Sequence, residues 1–337
     1  MTGPTDGFSP IGGGPYFDDF HVGQRLDASP SLTLTDGHAA VHQSIIGSRL
    51  HLAINRQLST RVTGATAPLA HPALVCDVVV GQSSQATQRG VANLYYSGLT
   101  MARGVYVGDT ITTTTEVVGL KQNNSRPTGV VAMRMMAVNQ DGEVIVDGWR
   151  CGMLPLRDRE RDTGHHDDLA TVGTSLDSSV LANVTREWDL ATFRTAVQGP
   201  RASDLLAGTR WEVEYGDVVT SAPELVRLTG NVAAVHHDRT ASAQGRRLVF
   251  GGHTIGLALA QASRAIPSIV TVVGWHRCDH VGPVHEGDTV FSTVEVEKVE
   301  LLVDGSGLVH LRSLVRGVGD DGTLSDLLDW RFVVVVA

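Results

Sequence analysis

The sequence predicts an α+β chain built from one unit twice over, each unit an antiparallel sheet wrapped around a central helix. Two observations predict it. Four landmarks recur in the same order: Gly23-Gln24-Arg25 with Gly208-Thr209-Arg210, Gly47 with Gly230, Gly108-Asp109-Thr110 with Gly287-Asp288-Thr289, and Trp149-Arg150 with Trp330-Arg331, at offsets of 185, 183, 179 and 181. Each match is short, but four in register describe a duplicated domain, and a period this long is not that of a solenoid. In addition, each copy carries one long apolar helix followed by segments of β-branched residues. Such an order folds most simply as a sheet closing over its own helix, here a double hotdog.

Residues 1–15 are Gly- and Pro-rich, without a basic start or an apolar run, and are expected to be a flexible tail rather than a signal peptide. The first unit is expected over 16–156, with its apolar helix at Ala73 to Gln82 and strands at Ile111 to Val118, Val130 to Val138 and Glu143 to Met153. Residues 157–184 are expected to be the linker, because Arg157 to Ser179 is charged, rich in His, Asp and Ser, and without apolar periodicity. The second unit follows over 185–337. Thr185 to Pro200 has helical apolar spacing at Trp188, Leu190, Phe193 and Val197. Ser221-Ala222-Pro223-Glu224 has capping-box spacing and opens a short helix that closes at Gly230. The long apolar helix spans Thr254 to Ala265, introduced by Gly251-Gly252-His253, and strands follow at Val290 to Val299, Leu308 to Val315 and Leu327 to Val336.

Composition narrows the function. Of 337 residues, 42% are apolar and 19% charged, which are globular values, and the formal charge of −9 argues against a nucleic-acid partner. Cys76, Cys151 and Cys278 are far apart with no Cys-x-x-Cys, the usage of reduced thiols. Eighteen consecutive uncharged apolar residues occur nowhere, so membrane insertion is not expected and the cytoplasm is the expected location. No dinucleotide fingerprint, phosphate-binding loop or nucleophile elbow is present, and His236-His237-Asp238 is too compressed for three ligands on one ion, so neither a cofactor nor a metal is expected.

The chemistry concentrates in Gly230-Asn231-Val232-Ala233-Ala234-Val235-His236. On one continuous helix Asn231 and His236 would point about 140° apart. A helix ending at Gly230 lets both turn toward one cleft. Gly251-Gly252 before the second apolar helix permits close backbone approach, and free N–H groups at a helix N-terminus favour negative charge.

The pattern resembles the hydratase motif of MaoC-like, (R)-specific enoyl-CoA hydratases, Gly-Asp-x-Asn-Pro-(aliphatic)-His, matching it at Gly230, Val235 and His236 and departing at Asn231, Ala233 and Ala234. From about residue 16 onward the chain is similar to the mesaconyl-CoA hydratase (β-methylmalyl-CoA dehydratase) branch, which also has Asn-x-Ala-x-Val-His. The likeness is carried by Tyr16-Phe17-Asp18-Asp19-Phe20, Gly47-Ser48-Arg49, Ala92-Asn93-Leu94-Tyr95, Gly108-Asp109-Thr110, Leu120-Lys121-Gln122-Asn123, Thr128-Gly129-Val130-Val131 and Gly245 to His253.

The resemblance implies a hydratase or dehydratase acting on the C2=C3 bond of a short, branched or dicarboxylic enoyl-CoA, with the acyl-CoA as partner. His236 is then the general base, Asn231 orients water, and the Gly252 N–H meets the thioester oxygen. In the first copy the histidine position holds Ala53, so that half does no acid–base work and shapes the acyl tunnel. Gly251, Tyr95 and Leu74 are expected at the pocket, Arg49 as a partner for a substrate carboxylate or CoA phosphate, and Arg246, Arg247 and Arg277 as CoA phosphate ligands. The alternative is an acyl-thioester-binding protein without catalysis, since the motif's aspartate is missing; thioester hydrolysis is a weaker third reading. A monomer holding its own pseudo-dimer, or a homodimer, is expected.

Overall fold

The computed structural model describes residues 13–27, 29–242, 245–319 and 322–337. In chain order the strands are β1 (Arg25–Leu26), β2 (Leu32–Thr33), β3 (Ala92–Met101), β4 (Thr110–Gln122), β5 (Thr128–Val138), β6 (Val144–Pro155), β7 (Arg210–Glu212), β8 (Asp217–Val218), β9 (Ile269–His280), β10 (Thr289–Leu301), β11 (Gly307–Val318) and β12 (Leu324–Val336). The helices are α1 (Asp36–Ile46), α2 (His51–Ile54), α3 (Arg56–Thr63), α4 (Pro72–Ser83), α5 (Ser178–Asn183), α6 (Leu190–Ala196), α7 (Ala222–Leu228), α8 (Ala234–His237) and α9 (Gly251–Ala265).

The described strands form one antiparallel sheet, ordered β1-β4-β5-β6-β3-β9-β12-β11-β10-β7, with β2 on β4 and β8 on β10. The halves mirror one another about the β3–β9 seam, where Tyr96 faces Cys278 and Leu99 faces Trp275. Each half curls around its own helix. All twelve residues of α4 and twelve of the fifteen in α9 are buried, which is why both helices read as apolar around their circumference.

Paired hydrogen bonds show the duplication. Gln82 Nε2 donates to Ile111 O at 2.9 Å, and Gln261 Nε2 to Val290 O at 2.9 Å. Gly23 N donates to Val117 O and Gly208 N to Val296 O, both at 2.8 Å. Arg134 forks onto Asp147, and Arg312 onto Asp329, with the same 2.9 and 2.7 Å bonds. This last pair corrects one landmark. It aligns Asp147 with Asp329, so Trp149 corresponds to Arg331 and Arg150 to Phe332. The Trp-Arg dipeptides are one residue out of step, and on a strand that slip reverses the face each side chain takes.

Besides the short strands β1, β2, β7 and β8, two long strands are absent from the pattern-based expectation, β3 and β9, the pair that joins the halves. Seven successive residues of β9, Ile269 to Trp275, are buried, because α9 covers one face and other elements the other. A strand buried on both sides shows no alternation. The linker is not free chain. Leu169 packs on Val130, Ala132 and Cys151 over the outer face of the first half. Leu181, Leu190, Phe193 and Val197 cover the outer face of the second together with Leu52, Leu58 and Val62. The expected tail falls mostly outside the described residues; at its end Gly13 N donates to Gln88 Oε1 at 3.1 Å. The capping box at Ser221 does not form: Ser221 has φ of 58° and its side chain makes no capping bond. Glu286 Oε1 instead accepts the Ala222 N–H at 3.0 Å.

Candidate active site

Helix α7 ends as expected. Gly230 has φ of 66°, and Gly47, at the end of α1, has φ of 65°, a left-handed conformation that glycine adopts without strain. A one-turn helix follows each. His236 N bonds Ala233 O and Asp238 N bonds Ala234 O, as Ala53 N bonds Leu50 O and Asn55 N bonds His51 O. His236 therefore has Ala53 as its counterpart. His51 instead sets its ring edge-on to Phe193.

Each of these loops is held by the other half. Val232 N donates to Ser84 Oγ at 2.8 Å and Ala234 N to Gln88 O at 2.9 Å, just past the C-terminus of α4. Reciprocally, Arg49 N donates to Ser263 Oγ at 3.1 Å near the end of α9. The backbones meet closely: a Cβ on Gly81 would lie 1.9 Å from Thr229 O. The motif is thus a second-half loop on a first-half platform.

His236 Nδ1 lies 2.9 Å from Leu248 O. A carbonyl can only accept, so Nδ1 carries the proton and Nε2 presents a lone pair. Burial brings the ring's pKa down to about 4, the Leu248 bond opposing and His237 and Arg150 reinforcing the shift. The imidazole is neutral at physiological pH, the state a general base requires.

Asn231 is buried, and its Oδ1 accepts the Ala233 N–H at 3.0 Å, an Asx turn that starts α8. Its first task is to shape the loop; the amide NH2 and one oxygen lone pair remain. Its backbone oxygen is bonded to His237 Nε2 at 2.7 Å.

Around His236 converge groups from both halves. Its ring centroid is 5.7 Å from that of Phe250, whose Cε1 would be 2.6 Å from a Cβ on Gly252. The His280 ring covers Gly251 and stands edge-on to Tyr96 at 5.8 Å. His236 helps burial to pull His280 down to about 4. Asp77, from the middle of α4, puts Oδ1 where a Gly252 Cβ would be, 1.9 Å away, and its carboxyl is pushed above the usual range by burial, which His42 at 3.7 Å partly offsets. Gly252 lies in the first turn of α9, where amides precede the helix's own i→i−4 bonds; the next one, His253 N, turns back to Phe250 O at 2.9 Å.

The structure thus gathers His236, Asn231, Gly251 and Gly252 into one region, whereas Tyr95 and Arg49 lie apart from it. Tyr95 turns to the outer face, where its hydroxyl donates to Leu169 O at 2.7 Å and Arg277 stacks 3.5 Å above its ring. Tyr96 is the tyrosine that faces inward. Leu74 is a core residue. Arg49 is exposed near the far end of α9. Arg247 pairs with Glu286 at 2.6 Å, and Arg246 lies 3.8 Å from Asp288. Sequence reasoning missed Tyr96, Asp77, Arg150 and His280, which no local motif marks. Cavities of about 230 and 410 Å³ lie at Phe193–Arg201 and Trp211–Asp217, away from His236.

Comparison with known proteins finds relatives over most of the chain. The family model described as mesaconyl-CoA hydratase matches residues 10–310. A β-methylmalyl-CoA dehydratase of Chloroflexus aurantiacus is 29% identical over 293 residues, covering 84% of this chain and 82% of the relative. A mesaconyl-CoA hydratase of Cereibacter sphaeroides is 27% identical over 329 residues, covering 95% and 94%. Among solved structures, a conserved hypothetical protein of Mycobacterium tuberculosis, described as a double hotdog fold, is 46% identical with a TM-score of 0.87 over 96% of this chain and 98% of that one.

Proposed function

We propose that this chain, which belongs to the mesaconyl-CoA hydratase family, adds water reversibly across the C2=C3 bond of a short, branched or dicarboxylic enoyl-CoA. One observation carries the mechanism: the Nδ1–H bond to Leu248 O, which fixes the tautomer of a ring that burial keeps neutral and leaves the Nε2 lone pair for water. Water attacks C3 and its proton passes to Nε2. The thioester oxygen gains charge, for which the N–H groups at the start of α9 are the donors, favoured by the helix dipole. The proton on Nε2 then goes to C2, so the substrate has gained H and OH and the enzyme is restored. Asn231 holds His236 in this geometry through the turn and has its NH2 left to orient water.

The three cysteines are free and buried. A cytoplasmic, CoA-linked reaction fits them, and among the described residues no helix is long and apolar enough to cross a membrane. The test is loss of enoyl-thioester absorbance over a panel of linear, branched and dicarboxylic acyl-CoAs. Turnover of at least one member that His236→Ala abolishes is the expected result. Tight binding of acyl-CoA with no turnover of any member would make the protein an acyl-thioester binder instead.

A further inference from the structure

Arg150 is a buried charge on the inner face of the first-half sheet for which the duplication offers a control. It lies on β6, in register with Tyr96 on β3 and Met133 on β5, both buried. The residue is 4% exposed. One terminal nitrogen donates to Ser83 O at 2.9 Å and to Thr87 Oγ1 at 3.0 Å, at the end of α4. Its Nε is buried without a partner, and among the described residues no carboxylate pairs with it. It is close enough to His236 to disfavour protonation there. In the other half the equivalent position is Phe332, fully buried, beside the half whose central helix holds the histidine-free loop of Ala53.

We propose that Arg150 is a specificity residue that binds a second carboxylate of the substrate, the one on C3, beside His236. This rests on the hydratase reading above and assigns the group that recognises the dicarboxylic members of its substrate class. A buried cation with no counter-ion is costly, by several kcal/mol after relaxation. The carbonyl of Ser83 at a helix C-terminus offsets only part of that. A guanidinium with free N–H groups is the donor set that a carboxylate fills, by charge-assisted bonds. If Arg150 served only to cap α4, the repeat would tolerate the same cap in the other half, where phenylalanine stands instead. Pairing also places the carboxylate-bearing carbon, C3, next to the base that activates water.

The experiment compares mesaconyl-CoA with tiglyl-CoA, which has a methyl in place of that carboxylate, in wild type, Arg150→Met and Arg150→Lys. Wild type should favour mesaconyl-CoA. Arg150→Met should lower kcat/KM for mesaconyl-CoA by about 10²-fold or more, the scale of losing a charge-assisted pair. It should change kcat/KM for tiglyl-CoA less than about threefold, and Arg150→Lys should fall between. Loss of the positive charge should also move the acid limb of the pH profile upward. Should Arg150→Met fail to fold, the preference of Arg150→Lys for succinyl-CoA over butyryl-CoA in equilibrium binding decides, and it must be weaker than that of wild type. Equal losses on both substrates, or no wild-type preference for the dicarboxylic one, overturn the proposal while leaving a hydratase. Turnover of neither substrate nor any other member of the panel overturns the functional reading itself.

Discussion

Gly252→Ala tests whether the start of α9 is as close to the first half as described. The new Cβ would lie 1.9 Å from Asp77 Oδ1 and 2.6 Å from Phe250 Cε1, against an ordinary contact that begins at 3.4 Å. The overlap with the carboxylate is therefore about 1.5 Å. Asp77 is 3% exposed in the middle of a fully buried helix, so its side chain has little room to yield. Overpacking of this kind costs about 1–3 kcal/mol, and more when backbone must shift; the preference of a helix for alanine over glycine returns at most about 1 kcal/mol. A net loss of about 2 kcal/mol is expected from urea unfolding. Asp77→Ala should relieve it, with a coupling of at least about 1 kcal/mol in the double-mutant cycle. A Gly252→Ala protein as stable as wild type, or additive effects of the two changes, would refute the proposed contact across the seam.

Acid should destabilise the protein in a defined window. His236, His253 and His280 ionise in the folded state at about 4, all chiefly through burial, whereas unfolded histidine does so near 6.5. Between those values the unfolded chain holds the proton and the folded one does not, so stability falls as pH drops from about 6.5 to about 4. The fully buried His253 alone accounts for up to about 3 kcal/mol, and His253→Leu should flatten the slope by about one proton in denaturant melts at pH 7, 6 and 5. His236→Ala should lower kcat/KM by about 10²–10⁴-fold with acyl-CoA affinity within a few-fold. The wild-type rate should stay level from pH 8 to well below 6, its acid limb lying near 4 rather than at histidine's ordinary value. Gly81→Ala puts a Cβ 1.9 Å from Thr229 O, so the motif loop must move; an ångström of displacement is worth about 10²-fold in rate, and unchanged activity would mean that the loop is not seated on α4.

The fold was legible because its signals are local. Glycines that must take left-handed φ at Gly47 and Gly230, and apolar runs at α4 and α9, survive in any single sequence. The motif was legible for the same reason: Asn231 and His236 sit in one loop. What the sequence did not show lies across the seam. Asp77 meets Gly252, Tyr96 meets His280, and Ser84 holds Val232, pairs whose separations of more than a hundred residues leave no periodic trace. Tyr95 was read for Tyr96 because a one-residue difference in strand phase reverses the face, and a bulge between Asn93 and Tyr95 moves that phase. The same effect paired Trp149-Arg150 with Trp330-Arg331 and hid Arg150.

Reciprocal docking explains what a duplication allows that a symmetric dimer does not. In a dimer of identical subunits every position appears at both sites, so an inward arginine at the Arg150 position would face both loops. Here one loop carries His236 and rests on α4, with Arg150 behind it, and the other carries Ala53 and rests on α9, with Phe332 behind it. The buried cation and the base stand in the same composite site, and the other has neither. That site is made of both halves, so neither alone supplies both the histidine and its platform. The halves differ on both sides of that docking, in the loop (His236 against Ala53) and in the sheet (Arg150 against Phe332). The contrast between Arg150 and Phe332 is that divergence at one position, with charge where a reaction is proposed and close packing where none is.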